Sequence, residues 1–132
     1  MKEDNLISKG GNLVVEKSYD FSVRIAKLYR FLCEKKKENI ISRQVLRSRT
    51  SIGANVEEAI GGVSRKDFLN KLSIVYKEAR ETNYWLRILR DIEYLNQNMF
   101  DSLIKDCDEV TRIIFSIIRT SKNNDEKSSR RD

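Results

Sequence analysis

The chain has no histidine and no proline, only two cysteines, and no long apolar run. Without histidine it lacks the side chain that titrates unaided near neutral pH and the commonest metal ligand. General acid–base work would fall to carboxylates, lysines or a perturbed cysteine, and none of these stands in a motif that positions it. We therefore expect no enzyme activity, no metal and no cofactor. Cys33 and Cys107 are far apart, with no CxxC pairing, and read as small core hydrophobes. The most apolar stretch, Ile113–Ile118, is far too short to span a bilayer, and Met1–Asn12 has no apolar centre like that of a secretory signal. A cytoplasmic protein with no membrane association is the expectation. The pairs Gly10-Gly11 and Gly61-Gly62 follow no strand and so match neither a phosphate-binding loop nor a dinucleotide fingerprint.

What is present suits one helical domain: 132 residues, 35% of them charged, long enough to bury roughly two-thirds of the unfolded surface without a disulfide. Apolar residues recur at helical spacing in four stretches. Phe21, Ile25, Leu28 and Leu32 mark a first helix from Leu13 to Glu34, with Asn12 as its cap after the glycine break. A short charged linker, Lys35–Ile41, leads to a second helix capped by Ser42 and ended by Gly61-Gly62, with Val45, Ile52, Val56 and Ala59 on its apolar line. Beside that line runs a string of small residues, Ser48, Ser51, Gly53 and Ala54; Gly53 is costly inside a helix, and close packing is the reason to keep it there. Ser64 followed by Asp67 resembles a capping box opening a third helix. Phe68, Leu72, Val75, Ala79, Thr82, Leu86 and Leu89 then alternate steps of four and three, the seam of coiled-coil-like packing. After a polar loop at Asn96–Asn98, Phe100, Leu103, Cys107, Val110, Ile114 and Ile117 repeat the device.

Short connections force neighbouring helices antiparallel. The expected fold is all-α, an up-down-up-down four-helix bundle over residues 13–121, between a flexible segment at 1–12 and a disordered charged tail at 122–132.

The net charge of +6 is concentrated: residues 22–50 hold nine basic and two acidic side chains, whereas residues 1–21 sum to −1 and residues 51–132 to zero. Arg24, Lys27, Arg30, Lys35, Lys36, Lys37, Arg43, Arg47 and Arg49 form the candidate binding patch, suited to phosphates and only weakly sequence-selective. The same patch also reads as a solvated face that keeps the protein soluble. No aromatic residues interleave with it as a single-strand platform requires. Arg49 falls on the buried line between Val45 and Ile52, so it must snorkel out, face a cavity or meet another subunit. Ser51, Asn55 and Glu58 make a polar line on the second helix, and Glu78, Glu81 and Trp85 a comparable one on the third. Both lines read either as a satisfied network within the bundle or as a subunit contact, with Trp85 the candidate anchor.

The run from Ser42 through Arg43, Gln44, Val45, Leu46 and Arg47 to Ser48, the run Ser51-Ile52-Gly53-Ala54-Asn55-Val56-Glu57-Glu58-Ala59, and Lys66-Asp67-Phe68 through Leu72-Ser73-Ile74 to Lys77–Leu86 resemble the 23S rRNA intervening-sequence protein family, the so-called S23 ribosomal proteins. The resemblance covers roughly Phe21 to Ser121. It implies a bacterial protein, sometimes encoded inside insertions in large ribosomal RNA genes, and a likeness to the accessory variability determinant of diversity-generating retroelements. That relative is a basic ring of five that binds a reverse transcriptase and nucleic acid. By that likeness the chain is expected to assemble as a homopentamer with its basic residues exposed. By position, Asn55, Glu58 and Glu81 match the family's recurrent polar residues and Arg43 and Arg47 its basic ones, whereas Arg49 replaces a small residue. The expected role is a non-enzymatic, RNA- or DNA-binding accessory protein. The alternative is a protein-interaction module, for instance a docking partner of a reverse transcriptase, with no direct nucleic-acid role.

Overall fold

The computed structural model describes the backbone of residues 2–62 and 64–131, and the side chains of 13–45, 47, 52–62 and 64–129. It is an all-helical bundle of α1 (Lys2–Lys35), α2 (Ile40–Ile60), α3 (Arg65–Asp91) and α4 (Gln97–Arg131), with no strand among the described residues. Each helix packs on two others: α1 and α3 each touch both α2 and α4.

Burial follows the apolar periodicity. The buried residues of α3 are Phe68, Leu72, Val75, Ala79, Thr82, Leu86 and Leu89, the same seven that the spacing predicts. Phe21, Ile25, Leu28 and Leu32 of α1 meet Val45, Ile52, Val56 and Ala59 of α2, and Phe100, Leu103, Cys107, Val110 and Ile114 of α4, in one core. Ile117 is only half-buried and packs at the margin. Removing each large aliphatic or aromatic side chain of this core from water contributes about 1.5–3 kcal/mol. At Gly53 the Ser22 side chain of α1 comes close: a Cβ there would lie 3.2 Å from Ser22 Oγ, which accounts for a glycine inside a helix.

Side-chain contacts give the relative course of the helices. Cys33 lies by Ser42 and Ser22 by Gly53, Arg47 by Glu81 and Glu58 by Lys71, Arg24 by Asp106 and Lys17 by Glu109. In each of these three pairs of helices the numbering rises along one while it falls along the other.

The helix ends differ from expectation in four places. First, α1 starts at Lys2, not at Leu13, and Gly10-Gly11 lies inside it; the side chain of the expected cap, Asn12, is outside the described residues. Once a helix is formed, extending it adds one hydrogen bond per residue, and two glycines at about 1 kcal/mol each only weaken it. Second, Ser42 does not cap α2. Glu38 does: its carboxylate accepts the backbone N–H groups of Ile40 and Ile41 at Oε1 (2.9 and 2.8 Å) and of Ser42 at Oε2 (2.8 Å). Ser42 is buried in the first turn, its hydroxyl donating to Glu38 O at 2.9 Å. Third, only Asn96 of the expected Asn96–Asn98 loop stays outside α4, and its side chain accepts the Met99 N–H at 2.8 Å. Fourth, α4 continues past Ser121 to Arg131. Ser121 is buried, and Arg65 of α3 donates to Ser121 O at 2.9 Å and pairs with Asp125 at 2.6 Å. That partner, far away in sequence, holds the tail residues up to Asp125 against the bundle.

The expected cap of α3 is present, with Ser64 Oγ accepting the Asp67 N–H at 3.1 Å. Two residues other than glycine close helices with positive φ, Lys37 (51°) after α1 and Glu93 (67°) after α3. Around Glu93 the bonds from Glu93 N to Arg90 O and from Tyr94 N to Leu89 O, both 2.9 Å, form the paired C-terminal closure usually built on glycine.

Candidate nucleic-acid interface

The nine basic residues singled out in residues 22–50 do not share one environment. Arg24 is committed to α4: its guanidinium pairs with Asp106 and donates to Ser102 O at 3.1 Å and Ser102 Oγ at 2.8 Å. Arg47 turns the other way, to α3, pairing with Glu81 at 2.9 Å. The side chain of Arg49 lies outside the described residues, so the structure gives no account of it. Lys27, Arg30, Lys35, Lys36, Lys37 and Arg43 are exposed, and among the described residues none has a carboxylate partner within 4 Å.

Four of these six, Lys35, Lys36, Lys37 and Arg43, gather where α1 ends and α2 begins. Local structure explains why they stay unneutralised. Glu38 is one of the two acidic residues of the segment, and its charge is spent on the first N–H groups of α2, where the helix dipole favours an anion. The lysines sit at the C-terminal end of α1, where the same effect favours cations. Lys37 in the left-handed region turns the chain, and Arg43 follows in the first turn of α2. Lys27 lies along a groove between α1 and α4, beside Arg24, Phe31 and Met99.

The two polar lines meet along the α2/α3 seam. Glu58 pairs with Lys71 at 2.8 Å and Glu81 with Arg47, while Trp85 Nε1 donates to Glu81 Oε1 at 3.4 Å. Asn55 is half-buried between them, and the side chain of Ser51 is outside the described residues. Glu78 Oε2 is the exception, a buried oxygen with no hydrogen-bond partner. Trp85 is half-buried against the core, with its ring edge-on to Tyr84 at 5.2 Å. Glu58, Glu81 and Trp85 thus each have a partner within the chain.

Cys107 is buried, donates to Ala79 O at 3.3 Å, and has its thiol pKa pushed up to about 12 by burial and then by the charge of Asp108. Such a thiol is a poor nucleophile at neutral pH. Lys17, on the flank of α1, has its pKa raised by its hydrogen bond to Glu109 and by that residue's charge. Among the described residues no group of three or more metal-ligating side chains comes together, and no helix is long and apolar enough to cross a membrane.

The sequence reading missed Glu38, Asp106 and Lys71. Glu38 could have been found, since it lies four residues before Ser42 with its carboxylate in reach of a helix start. The other two are set by the pairing of distant helices, which no local pattern shows.

Fold and site define a small helical bundle with a cationic end. The chain belongs to the 23S rRNA-intervening sequence protein family, whose model matches residues 11–116. A crystal structure from Bacteroides thetaiotaomicron, of a protein of unknown function in the S23 ribosomal protein family, is 47% identical and superposes with a TM-score of 0.81. It covers 83% of this chain and 98% of its own. A search of the curated proteins finds no match.

Proposed function

We propose that this chain is a non-enzymatic, cytoplasmic accessory protein that binds the phosphate backbone of nucleic acid, RNA first, through the end of the bundle formed by Lys35, Lys36, Lys37 and Arg43, with Lys27 and Arg30 alongside. One observation carries the reading. Arg24, Arg47 and Lys17 on the same two helices each hold a carboxylate, whereas these six cations hold none, and Glu38, beside Lys37, is occupied as a helix cap. Clustered, exposed, unpaired cations attract polyanions and release counterions on binding them. The family's association with intervening sequences of 23S rRNA is consistent with an RNA partner.

We further propose an up-down-up-down order of helices, supported by the opposed numbering of contacting pairs, and assembly into a homo-oligomer, a pentamer by the resemblance noted above. A second reading, a docking module for a protein such as a reverse transcriptase, draws on Tyr19 and Val23. They are exposed at 62% and 38%, one turn apart on α1, and cover no part of the core.

The test is fluorescence anisotropy with structured RNA, duplex DNA and a polyanion control across a salt series, for the wild type and for Lys36→Glu with Arg43→Glu. Six phosphate contacts predict a log–log salt slope of about −5, and the double variant should bind about tenfold or more weakly. Equal binding by the variant, or no preference over the polyanion, returns the patch to a solvated face and the function to a protein partner.

A further inference from the structure

The face where α3 meets α4 holds a cleft of about 500 Å³, apart from the cationic end. Tyr76, Arg80, Tyr84 and Arg87 line it from α3 at steps of four, four and three, which place them along one side of the helix. The Arg80 guanidinium lies 5.9 Å over the Tyr76 ring and that of Arg87 5.8 Å over Tyr84. Among the described residues neither arginine has a carboxylate within ion-pair distance. Asn83 is fixed between them, its Nδ2 donating to Asp108 Oδ1 of α4 at 3.1 Å and its Oδ1 accepting from Arg87 Nε at 3.0 Å. Asp108 Oδ2 receives no donor from the described residues. The cleft's other carboxylate, Glu81, is occupied by Arg47 and Trp85.

Two unpaired arginines, two tyrosines and one open carboxylate oxygen in a space of this size are the chemistry of an unstacked nucleotide. Tyrosine faces and guanidinium planes stack bases. A carboxylate accepts from an exocyclic amino group, as Asp does from cytosine N4. Arg80 and Arg87 are about 10 Å apart along the helix at the usual rise, placing them to reach phosphates on either side of such a base. An acidic peptide would use the arginines, but it would leave Tyr84 and the open Asp108 oxygen without a role.

We propose that the α3/α4 cleft takes an unpaired base of a single-stranded nucleic acid. The base stacks on Tyr84, its amino group donates to Asp108 Oδ2, and its flanking phosphates lie on Arg80 and Arg87. The inference rests on nucleic acid being the partner and adds that an unpaired strand is held at a second place.

The test uses the chain's one tryptophan, Trp85, whose ring is 5.2 Å from that of Tyr84. Oligo-dC and oligo-dT of roughly eight nucleotides, within the usual single-strand site size, and a duplex are titrated while Trp85 fluorescence and anisotropy are followed. Oligo-dC should quench Trp85 and bind more tightly than oligo-dT, which lacks the amino group. Tyr84→Ala should weaken oligo-dC binding about tenfold, the size of one lost stack. Tyr84→Phe should retain binding, and Asp108→Asn should erase the preference for dC. Duplex binding should be unaffected by Tyr84→Ala and weakened about tenfold or more in the Lys36→Glu, Arg43→Glu variant. Circular dichroism matching the wild type shows that each variant folds. If duplex binds through the cationic end but Tyr84→Ala binds oligo-dC as the wild type does, or dC and dT bind equally, the cleft proposal falls alone. If neither strand form binds, both readings fall. Quenching by poly-glutamate equal to that by oligo-dC also overturns the proposal.

Discussion

Replacing Glu38 tests the account of how the cationic end is built. Its carboxylate accepts three N–H groups of the first turn of α2 at 2.8–2.9 Å. Loss of a side-chain cap costs about 1 kcal/mol, and loss of an anion at a helix N-terminus adds about 0.3–1 kcal/mol. Glu38→Ala should therefore destabilise the protein by about 2 kcal/mol. Glu38→Gln keeps one acceptor oxygen and loses the charge, for about 1 kcal/mol. At about 2.1 cal/mol/K of unfolding entropy per residue, 2 kcal/mol lowers the Tm by about 7 °C in a chain of this length. Urea unfolding followed by circular dichroism gives the two values, and hydrogen exchange at Ile40, Ile41 and Ser42 locates the effect. A change below about 0.3 kcal/mol for Glu38→Ala, with unchanged exchange at those amides, would refute the assignment of Glu38 as the cap. If Glu38→Gln matches the wild type while Glu38→Ala falls, the hydrogen bonds matter and the charge does not.

Three further expectations are independent of partners. Cys107, with its folded-state pKa near 12 against about 8.5–9 when unfolded, stays neutral in the native state while the unfolded chain ionises. Its contribution is complete below about pH 8 and is lost as pH rises from there to 12, by up to about 4 kcal/mol. The stability difference between wild type and Cys107→Ala should shrink over that range, and a thiol reagent should modify the half-buried Cys33 before Cys107 in native protein. Gly53→Ala brings a Cβ to 3.2 Å from Ser22 Oγ. Calorimetry should find it destabilising or neutral alone and stabilising by about 1 kcal/mol in a Ser22→Ala background, where the helix-propensity gain is free of the contact. Arg65→Ala removes the contacts to Ser121 and Asp125. Exchange should speed up over residues 118–129 while global stability falls by less than about 1 kcal/mol, as for an exposed pair.

Local sequence carried more of the fold than of the site. On α3 an alternation of threes and fours named every buried residue, because a helix repeats every 3.6 residues and the core accepts apolar side chains whichever helix lies opposite. The capping role of Ser64 was legible for the same reason, since its acceptor and the N–H that it serves are three residues apart. The cationic segment was legible as composition, but not as geometry. Arg24 and Arg47 counted equally with Lys36 and Arg43 until the bundle placed Asp106 beside one and Glu81 beside the other.

Periodicity, caps and charge density are properties of neighbours along the chain, and they determined that this protein is helical, where its core lies and that its charge is uneven. Which cations are neutralised, where α4 finds support beyond Ser121, and that Tyr84, Arg87 and Asp108 share a cleft were decided by tertiary structure alone. Each depends on which faces of two distant helices come together, and a one-dimensional pattern does not contain that information.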